Sequence, residues 1–305
     1  MEVSSIAEQL LFNTVRIETQ DSNGVLQVGT GFIFEYGKKG ESENSLTWVT
    51  QYLVTCKHVV ENSVSGRLTF SSLKSEKEVR LGEKIRFVEN EKFGKAWYTN
   101  SNPNIDIAIF PILELMLFFS TIKDPVFYRA INKDLIPDET TLTEIDALEE
   151  VIFVGYPWGL WDEKNNLPIF RKGITASPIT LDFNGEKKFL IDASVFPGSS
   201  GSPVFLFNQG SHNPKSGGIR MGTRLKFLGV VSEAYFREVE GKIEYVTKPA
   251  VRQKNENANP VPITNQFLNI GIVFKASTIV DTIEEFLPQY QKWREKMMVN
   301  LKKSE

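Results

Sequence analysis

The segment FPGSSGSPV, at positions 196–204, is the stretch around which the rest of the chain can be arranged. It places Ser200 in a turn between Gly198 and Gly201, just before the apolar run Val204–Phe207. A serine hydroxyl becomes a good nucleophile only beside a general base and near fixed N–H donors that stabilise an oxyanion. Because glycine reaches backbone angles closed to other residues, the N–H groups of Gly198 and Ser200 can point at one spot. The segment predicts a nucleophile turn, although a polar turn between two strands has the same composition.

Two other segments provide the partners that a serine nucleophile needs. An apolar strand leads into His58, and Asp106 opens the apolar run Ile107–Phe110. The chain has two histidines, and the other, His212, lies in a polar loop, so His58 is the candidate base. Each segment alone also fits a packed histidine or an ordinary strand start. The order His58, Asp106, Ser200, however, is that of chymotrypsin-type enzymes and differs from the subtilisin and α/β-hydrolase orders.

Together these segments resemble the trypsin-like serine peptidases, and within them the bacterial HtrA-like branch. Three motifs carry the resemblance: VTCKHVV at 54–60, DIA at 106–108 and GSSGSP at 198–203. Two flanking segments also fit, namely GTGFIF at 29–34 and GIVF at 271–274 followed by a helix. The resemblance therefore covers the chain from about residue 12 to residue 287.

The resemblance implies a Ser-His-Asp triad in which Ser200 is the nucleophile, His58 the general base and Asp106 the group that orients His58. It implies an oxyanion hole formed by the backbone N–H groups of Gly198 and Ser200. It also implies four substrate-binding residues: Ser194, Ser232, Ala234 and Gly271. None of the three that would shape the primary pocket carries a charge (Ser194, Ala234 and Gly271), which predicts a preference for apolar or small side chains. Glu233 and Asp192, which lie nearby in sequence, leave that preference open.

Two positions depart from the family pattern. Ser199 stands where zymogen-type trypsins carry an aspartate, so activation by a newly freed N-terminus that inserts as an ion pair is not expected. Ser202 stands in place of the second glycine of the nucleophile motif, a small change that we expect to be harmless.

The composition bounds the class of protein. The 305 residues are 41% hydrophobic and 24% charged, with a formal net charge of -3, as in an ordinary globular protein that binds neither nucleic acid nor an anionic membrane. One cysteine, Cys56, excludes an internal disulfide and fits a reducing compartment. The first residues lack the pattern of a signal peptide, and no run approaches about 18 apolar residues. We expect a cytoplasmic protein without cofactor or metal.

Short apolar runs separated by turn signals predict an all-β fold. From the resemblance we expect two packed six-stranded antiparallel Greek-key barrels and a C-terminal helix. The peptidase domain would span residues 1–275, with one barrel at about 12–115, a crossing at about 116–150 and a second barrel at about 151–275. Residues 276–305 would form the helical segment.

The C-terminal segment shows apolar residues at helical spacing. We expect its first half to pack on the second barrel and Pro288 to kink or split the helix. Only about 30 residues follow residue 275, which is short for a further PDZ-like domain. Two insertions, at 208–224 and at 237–266 with its polar tract 252–259, are loops that could gate the cleft or bind a partner.

The sequence therefore predicts a serine endopeptidase that hydrolyses protein or peptide substrates through an acyl-enzyme. Because an unregulated cytoplasmic peptidase would damage its neighbours, we expect it to be latent or controlled by a partner protein. The alternative is a trypsin-like domain that has lost catalysis and serves as a binding or sensing module.

Overall fold

The computed structural model describes the backbone of residues 1–38, 48–122, 124–240 and 263–303. Side chains are described over the same ranges except at 38, 48, 235–240, 263–267 and 293–303. The polar tract predicted at 252–259 lies outside the described residues, as does most of the insertion at 237–266.

The N-terminal half is built on one nine-stranded sheet. Seven of the strands follow the order β5-β4-β1-β2-β3-β7-β6, and the other two, β8 and β9, pair with β4 and β2. On β1 the inward side chains alternate with half-buried ones, so that Val15, Ile17 and Thr19 face the core. The elements in order are α1 Ile6–Leu11, β1 Thr14–Asp21, β2 Leu26–Lys38, β3 Trp48–Thr55, α2 Lys57–Val60, β4 Ser63–Ser75, β5 Glu78–Glu89, β6 Tyr98–Thr99 and β7 Ala108–Pro111.

The crossing between the two halves contains short elements: α3 Ile112–Ile122, β8 Val126–Phe127, β9 Ile131–Asn132 and α4 Glu139–Glu144. Two of them belong to the N-terminal sheet, because β8 pairs with β4 and β9 runs parallel to β2. The crossing is thus held against the first half before the second half begins.

The C-terminal half is a closed six-stranded antiparallel barrel with the order β10-β11-β12-β17-β16-β13. A small hairpin of β14 and β15 stands beside it. The elements are β10 Glu150–Gly155, β11 Ile169–Thr175, β12 Lys188–Asp192, β13 Pro203–Asn208, β14 Ser211–His212, β15 Arg220–Met221, β16 Arg224–Glu240, β17 Ile263–Lys275 and the helix α5 Ser277–Lys303.

An aromatic cluster joins the two halves. The Phe227 ring of β16 lies 5.5 Å from Phe32, 6.0 Å from Phe34 and 5.5 Å from Phe205, measured between ring centroids. All four rings are fully buried. Aromatic pairs at such spacings stabilise beyond the burial of their area, so the halves are packed together where β2 meets the barrel.

The all-β class, the second six-stranded barrel and the C-terminal helix are confirmed. The N-terminal half is more extended than a six-stranded barrel. Over the described residues its strand path runs from β5 to β6 without closing into a ring. The long β4–β5 hairpin changes register at Ser71/Ser72 and at Leu73/Ser75, and such bulges bend a hairpin and increase its twist.

α5 contacts both halves, where we expected the second barrel alone: it lies against β17 and β7, and Lys187 of the barrel bonds Asp281 at 2.7 Å. Its first half packs mainly on the N-terminal sheet: Ile279 and Ile283 are fully buried in the core shared with β2 and β3. The Phe286 ring lies 4.8 Å from that of Tyr98, and the Tyr36 hydroxyl bonds Glu284 at 2.7 Å. The apolar stripe of the helix therefore finds its aromatic partners on the first half.

The helix is continuous through Pro288, so the predicted split is absent, and the predicted kink stays a prediction. Leu287 and Tyr290 are both buried, one on each side of the proline. Packing on both sides of Pro288 offsets the hydrogen bond that proline cannot donate.

A buried ion pair holds the start of the second barrel and yields a stability prediction. Arg224 and Glu149, whose side chains are 9% and 8% exposed, share two contacts, Nη2 to Oε2 at 2.5 Å and Nη1 to Oε1 at 3.2 Å. Glu149→Ala leaves a buried guanidinium without a counter-charge and should lower the free energy of unfolding by about 3 kcal/mol. Glu150→Ala breaks the exposed ion pair with Lys172 and should change the free energy of unfolding by less than about 1 kcal/mol. Urea unfolding followed by circular dichroism measures both, and equal values for the two variants would contradict the prediction.

Candidate active site

His58 and Asp106 are brought together by the ends of two neighbouring strands. His58 lies in the one-turn helix α2 directly after β3, and Asp106 lies two residues before β7, which pairs with β3. The ring Nδ1 of His58 is 2.7 Å from Asp106 Oδ2, and the His58 backbone N–H donates to Oδ1 at 3.0 Å. The carboxylate therefore orients both the ring and the backbone of His58.

The C-terminal barrel supplies a third donor to this carboxylate. Ser232 of β16 is buried, and its hydroxyl donates to Asp106 Oδ2 at 2.5 Å. Cys56 lies beneath the pair, and its thiol donates to the Val231 carbonyl at 3.2 Å. Asp106 is thus held from both halves of the molecule.

The charges of this group shift its pKa values in opposite directions. Burial lowers the pKa of His58, but the hydrogen bond and charge of Asp106, with the charges of Glu233 and Glu61, outweigh burial and raise it overall. Burial raises the pKa of Asp106, but hydrogen bonds from His58 and Ser232 and the charge of His58 lower it overall. The geometry thus favours an ionised Asp106 beside a His58 that takes up a proton more readily than free histidine does.

The turn around Ser200 requires both of its glycines. Gly198 and Gly201 have φ of 89°, in the left-handed region that other residues rarely adopt. A Cβ on Gly198 would lie 2.3 Å from the Tyr156 carbonyl oxygen, and one on Gly201 would lie 1.8 Å from that of Thr30. Backbone atoms therefore occupy the space on both sides of the turn, and only glycine fits.

Thr30 fixes the nucleophile turn from the N-terminal half. Its backbone N–H donates to the Ser200 carbonyl at 2.9 Å, and its hydroxyl donates to the Gly198 carbonyl at 2.9 Å. The same hydroxyl accepts from the Tyr156 N–H at 3.1 Å, and the Thr30 carbonyl accepts from the Thr55 hydroxyl at 2.7 Å. Thr30 is fully buried, and the polar atoms of its backbone and side chain all have partners.

Two N–H groups of the turn are left for a ligand. The Pro197 carbonyl points away from the site, since it accepts from the Trp158 N–H at 2.6 Å, and the Ser199 N–H donates to Phe196. Within the described chain, the N–H groups of Gly198 and Ser200 have no acceptor. The two groups predicted to form the oxyanion hole are therefore available. Ser199, at the departure from the trypsin pattern, is buried, and its hydroxyl accepts from the Phe196 N–H at 3.4 Å.

The Ser200 hydroxyl is bonded to a backbone carbonyl and not to His58. It donates to the Ser232 carbonyl at 2.7 Å, and no hydrogen bond joins it to His58 in the part of the chain that the structure describes. Both residues nevertheless line one cavity. The Ser200 hydroxyl would have to leave the Ser232 carbonyl before it could bond His58.

Two cavities flank His58. The first, which we call the Trp158 cavity, has a volume of about 410 Å³ and is lined by Leu26, Gln27, Val28, His58, Val59, Trp158, Gly159, Pro197, Gly198 and Ser200. The second, the Glu233 cavity, has a volume of about 290 Å³ and is lined by Lys57, His58, Glu61, Pro103, Asn104, Asp106, Glu186, Lys188, Ser232, Glu233, Ile272 and Phe274. The first is largely apolar and the second carries charges of both signs.

The predicted substrate-binding residues lie around one corner of the barrel. Ala234 pairs with Gly271 across β16 and β17, next to a bulge that leaves Ser232 and Glu233 unpaired in the ladder. Ser194 follows β12, and its carbonyl accepts from Arg171 at 3.0 Å. A Cβ on Gly271 would lie 2.6 Å from Val195 Cγ2, so the barrel interior is filled there.

Three metal-ligand types cluster at the site, but their chemistry does not favour an ion. Ligand atoms of Cys56, His58 and Asp106 lie within 4.8 Å of one another, the one such group in the described residues. Burial and the charge of Asp106 raise the pKa of Cys56, whereas a metal needs the thiolate. The expectation of a site without metal stays a prediction.

Sequence reasoning missed the residues that support the site. The sequence places Thr30 only in a strand motif and predicts Ser232 only as a substrate-binding residue, and it predicts no role for the Trp158 N–H. Their positions depend on contacts between the two halves, and no local pattern encodes such contacts. His212, the other histidine, lies in the β14–β15 hairpin, where its pKa is lowered by burial and by Arg224 and Arg220.

Comparison with known proteins gives one sequence match and several structural ones. The sequence matches the trypsin-like peptidase domain family over residues 29–211. No curated protein sequence matches it at a significant level. The fold is similar to the HtrA-type protease AlgW with tripeptide, at 12% identity and a TM-score of 0.47 over 92% of this chain and 62% of that one.

Two further solved structures are similar. The MamO protease domain from Magnetospirillum magneticum is 13% identical, with a TM-score of 0.43 over 90% of this chain and 98% of that one. The active form of the Rv3671c protease from M. tuberculosis is 15% identical, with a TM-score of 0.40 over 92% of this chain and 82% of that one.

The sequence match begins at Gly29, beside the threonine that holds the nucleophile turn, and includes the segments of His58, Asp106 and Ser200. It extends to residue 211 and so covers more than half of the 305 residues. The chain therefore belongs to the trypsin-like peptidase domain family.

Proposed function

We propose that the protein is a serine endopeptidase that hydrolyses peptide bonds in protein or peptide substrates through an acyl-enzyme at Ser200. The supporting observation is that His58, Ser200 and Gly198 line one cavity. His58 is hydrogen-bonded to Asp106, and the Gly198 N–H is available to a ligand. Ser200 and His58 come from different halves of the molecule, and only the packing of those halves places them together.

In this mechanism the hydrogen bond to Asp106 sets the tautomer of His58. With Nδ1–H donated to the carboxylate, Nε2 carries the lone pair that accepts the Ser200 proton as Oγ attacks the scissile carbonyl. The same proton then passes to the amine as it leaves. A water molecule repeats the sequence on the ester and releases the acid, which regenerates the Ser200 hydroxyl.

The N–H groups of Gly198 and Ser200 stabilise the negative charge on the carbonyl oxygen. Donors fixed before the reaction lower the barrier without a reorganisation cost, and a single such donor contributes about 3 kcal/mol. Thr30 and Trp158 support this function, because their hydrogen bonds turn the carbonyls of Gly198 and Pro197 away from the oxyanion position.

We further propose that the free enzyme is partly latent, with the Ser200 hydroxyl held mostly by Ser232, and that bound substrate shifts this hydroxyl toward His58. The Ser232 carbonyl, next to the unpaired stretch of β16, accepts the Ser200 hydroxyl in the free protein. A substrate backbone N–H that pairs with this carbonyl displaces the hydroxyl and releases it toward His58. The regulatory partner and the cytoplasmic location stay predictions; none of the described helices is long and apolar enough to cross a membrane.

The alternative of a silent binding module draws support from the same contact. If the Ser200 hydroxyl kept its bond to Ser232 in the presence of ligand, the domain would bind peptides without cutting them. Covalent labelling of Ser200 separates the two functions.

The nucleophile is tested with a fluorophosphonate probe. We expect the wild type to be labelled, and Ser200→Ala and His58→Ala to lose labelling by at least about 1,000-fold, because one removes the attacking oxygen and the other its base. Ser211→Ala and His212→Ala are matched controls from the β14–β15 hairpin and should label normally. Labelling that persists in Ser200→Ala would rule out the proposed nucleophile.

The raised pKa of His58 sets the pH dependence. His58 acts as a base only when neutral, so the labelling rate should fall as the pH drops below its raised pKa, and the acid limb should lie above that of free histidine. Glu233→Gln removes a negative charge that raises this pKa, so the limb should move to lower pH. Glu150→Gln, on the exposed face of β10, should leave it in place. A profile measured at constant ionic strength checks this, and an unmoved limb in Glu233→Gln would contradict it.

Thr30 is expected to act as a positioning residue. Thr30→Val keeps the shape but leaves the Tyr156 N–H and the Gly198 carbonyl without their partner, so the labelling rate should fall by about 10- to 100-fold. Thr30→Ser retains the hydroxyl and should recover most of the rate, whereas Thr69→Val, a buried threonine elsewhere in the sheet, should not lower it. A rate loss that Thr30→Ser fails to rescue would indicate a packing effect alone.

A further inference from the structure

The Trp158 cavity lies on the side of the site from which the leaving group departs. The His58 Nδ1 faces Asp106, which lines the Glu233 cavity and not the Trp158 cavity. We infer that the other edge of the ring, which carries Nε2, faces Ser200, since His58 and Ser200 line the Trp158 cavity together. Since the proton on Nε2 passes to the departing amine, the residues that follow the scissile bond lie in this cavity.

The walls of this cavity are apolar. Leu26 is 76% exposed and Trp158 is 65% exposed, and the half-buried Val28 and the buried Val59 lie between the strand and the histidine. Apart from His58, no lining residue has an ionisable side chain. Large apolar side chains left in water beside a nucleophile are typical of a binding surface.

The backbone of Trp158 is held in place, and its indole lies beside the ring of Phe196. Its backbone has φ of 54°, in the left-handed region, and its N–H donates to the Pro197 carbonyl at 2.6 Å. Its ring lies 5.9 Å from that of Phe196, with 32° between the planes. A non-glycine residue held in this region by its surroundings is often part of a functional site. An aromatic wall fixed in advance costs little entropy when a partner packs on it.

The Glu233 cavity differs from the Trp158 cavity in the charges that line it. The Glu233 cavity carries Lys57, Lys188, Glu61 and Glu233, so neither sign of charge dominates it. Substrate side chains are therefore selected by shape and apolar contact mainly in the Trp158 cavity. The uncharged cavity also disfavours a charged residue there, which would lose its hydration without gaining a counter-charge.

We propose that the Trp158 cavity selects substrates that carry a large apolar side chain, such as Leu, Ile or Phe, immediately after the scissile bond. This inference rests on the proposed function, since the leaving-group side is defined by attack from Ser200. Leu26 and Trp158 are the specificity-determining residues, and the apolar side chain of the substrate packs between them.

The protein is incubated with a peptide library made from whole-cell protein, and mass spectrometry identifies the residues on both sides of every cleaved bond. The variants are Leu26→Ser and Trp158→Gly; glycine removes the indole and readily adopts the left-handed backbone. Leu148→Ser is the control, because Leu148 is 65% exposed but lies outside the cavity. Wild-type cuts should be enriched in apolar residues after the bond, and each cavity variant should reduce that enrichment by about tenfold.

The inference is overturned if wild-type cuts show no such enrichment, or if the enrichment survives in both cavity variants. Fluorophosphonate labelling of the wild type and of Leu148→Ser separates this outcome from a failed serine mechanism, because a working nucleophile is labelled whichever residue follows the scissile bond.

If the wild type is not labelled, the serine mechanism fails and binding alone tests the cavity. Calorimetry on Ser200→Ala then compares peptides that begin with Leu and with Asp. At least about tenfold tighter binding of the Leu peptide supports apolar selection, and equal affinities overturn it.

Discussion

The close approach of strand β2 to the nucleophile turn is the contact on which the site depends. Thr30 gives the turn a backbone hydrogen bond at Ser200 and a hydroxyl at Gly198, and the Thr30 carbonyl leaves no space for a side chain at Gly201. Ser200 belongs to the barrel and His58 to the N-terminal sheet. Without this contact the two halves could shift against each other, and a displacement of about 1 Å is enough to impair catalysis severely.

The second constraint is the burial of a carboxylate. Taking Asp106 out of water is unfavourable unless donors replace its hydration, and it receives two N–H groups from His58 and a hydroxyl from Ser232. These bonds also leave His58 one ring orientation relative to the barrel. The same contacts that make the buried charge tolerable therefore aim the base at the cavity.

Much of the architecture and the principal residues of the site follow from local sequence. Gly198 and Gly201 mark the turn because only glycine adopts its angles, and the strands that end at His58 and begin after Asp106 are marked by their apolar runs. The features that could not be predicted are contacts between residues far apart in the sequence. The helix α5 has an apolar stripe, but the stripe does not reveal that Tyr98 of the first half packs on its Phe286 ring.

Two features of the site could not be predicted for the same reason. The Ser200 hydroxyl bonds the Ser232 carbonyl, and the Thr30 hydroxyl bonds the Gly198 carbonyl. Which of several rotamers a small hydroxyl adopts depends on acceptors that lie far away in the chain. Small polar side chains at the junction of the two halves are thus the residues for which sequence reasoning is weakest.

Ser202 stands where the motif of the resemblance has a second glycine, and its side chain shares a crowded space with two other residues. Ser202 is fully buried, and a Cβ on Gly155 would lie 2.1 Å from its hydroxyl and 2.6 Å from that of Thr30. Positions 30, 155 and 202 therefore compete for one volume. Over evolutionary time they cannot drift independently: a side chain can be gained at 155 only in a lineage that has first made both of the other residues smaller.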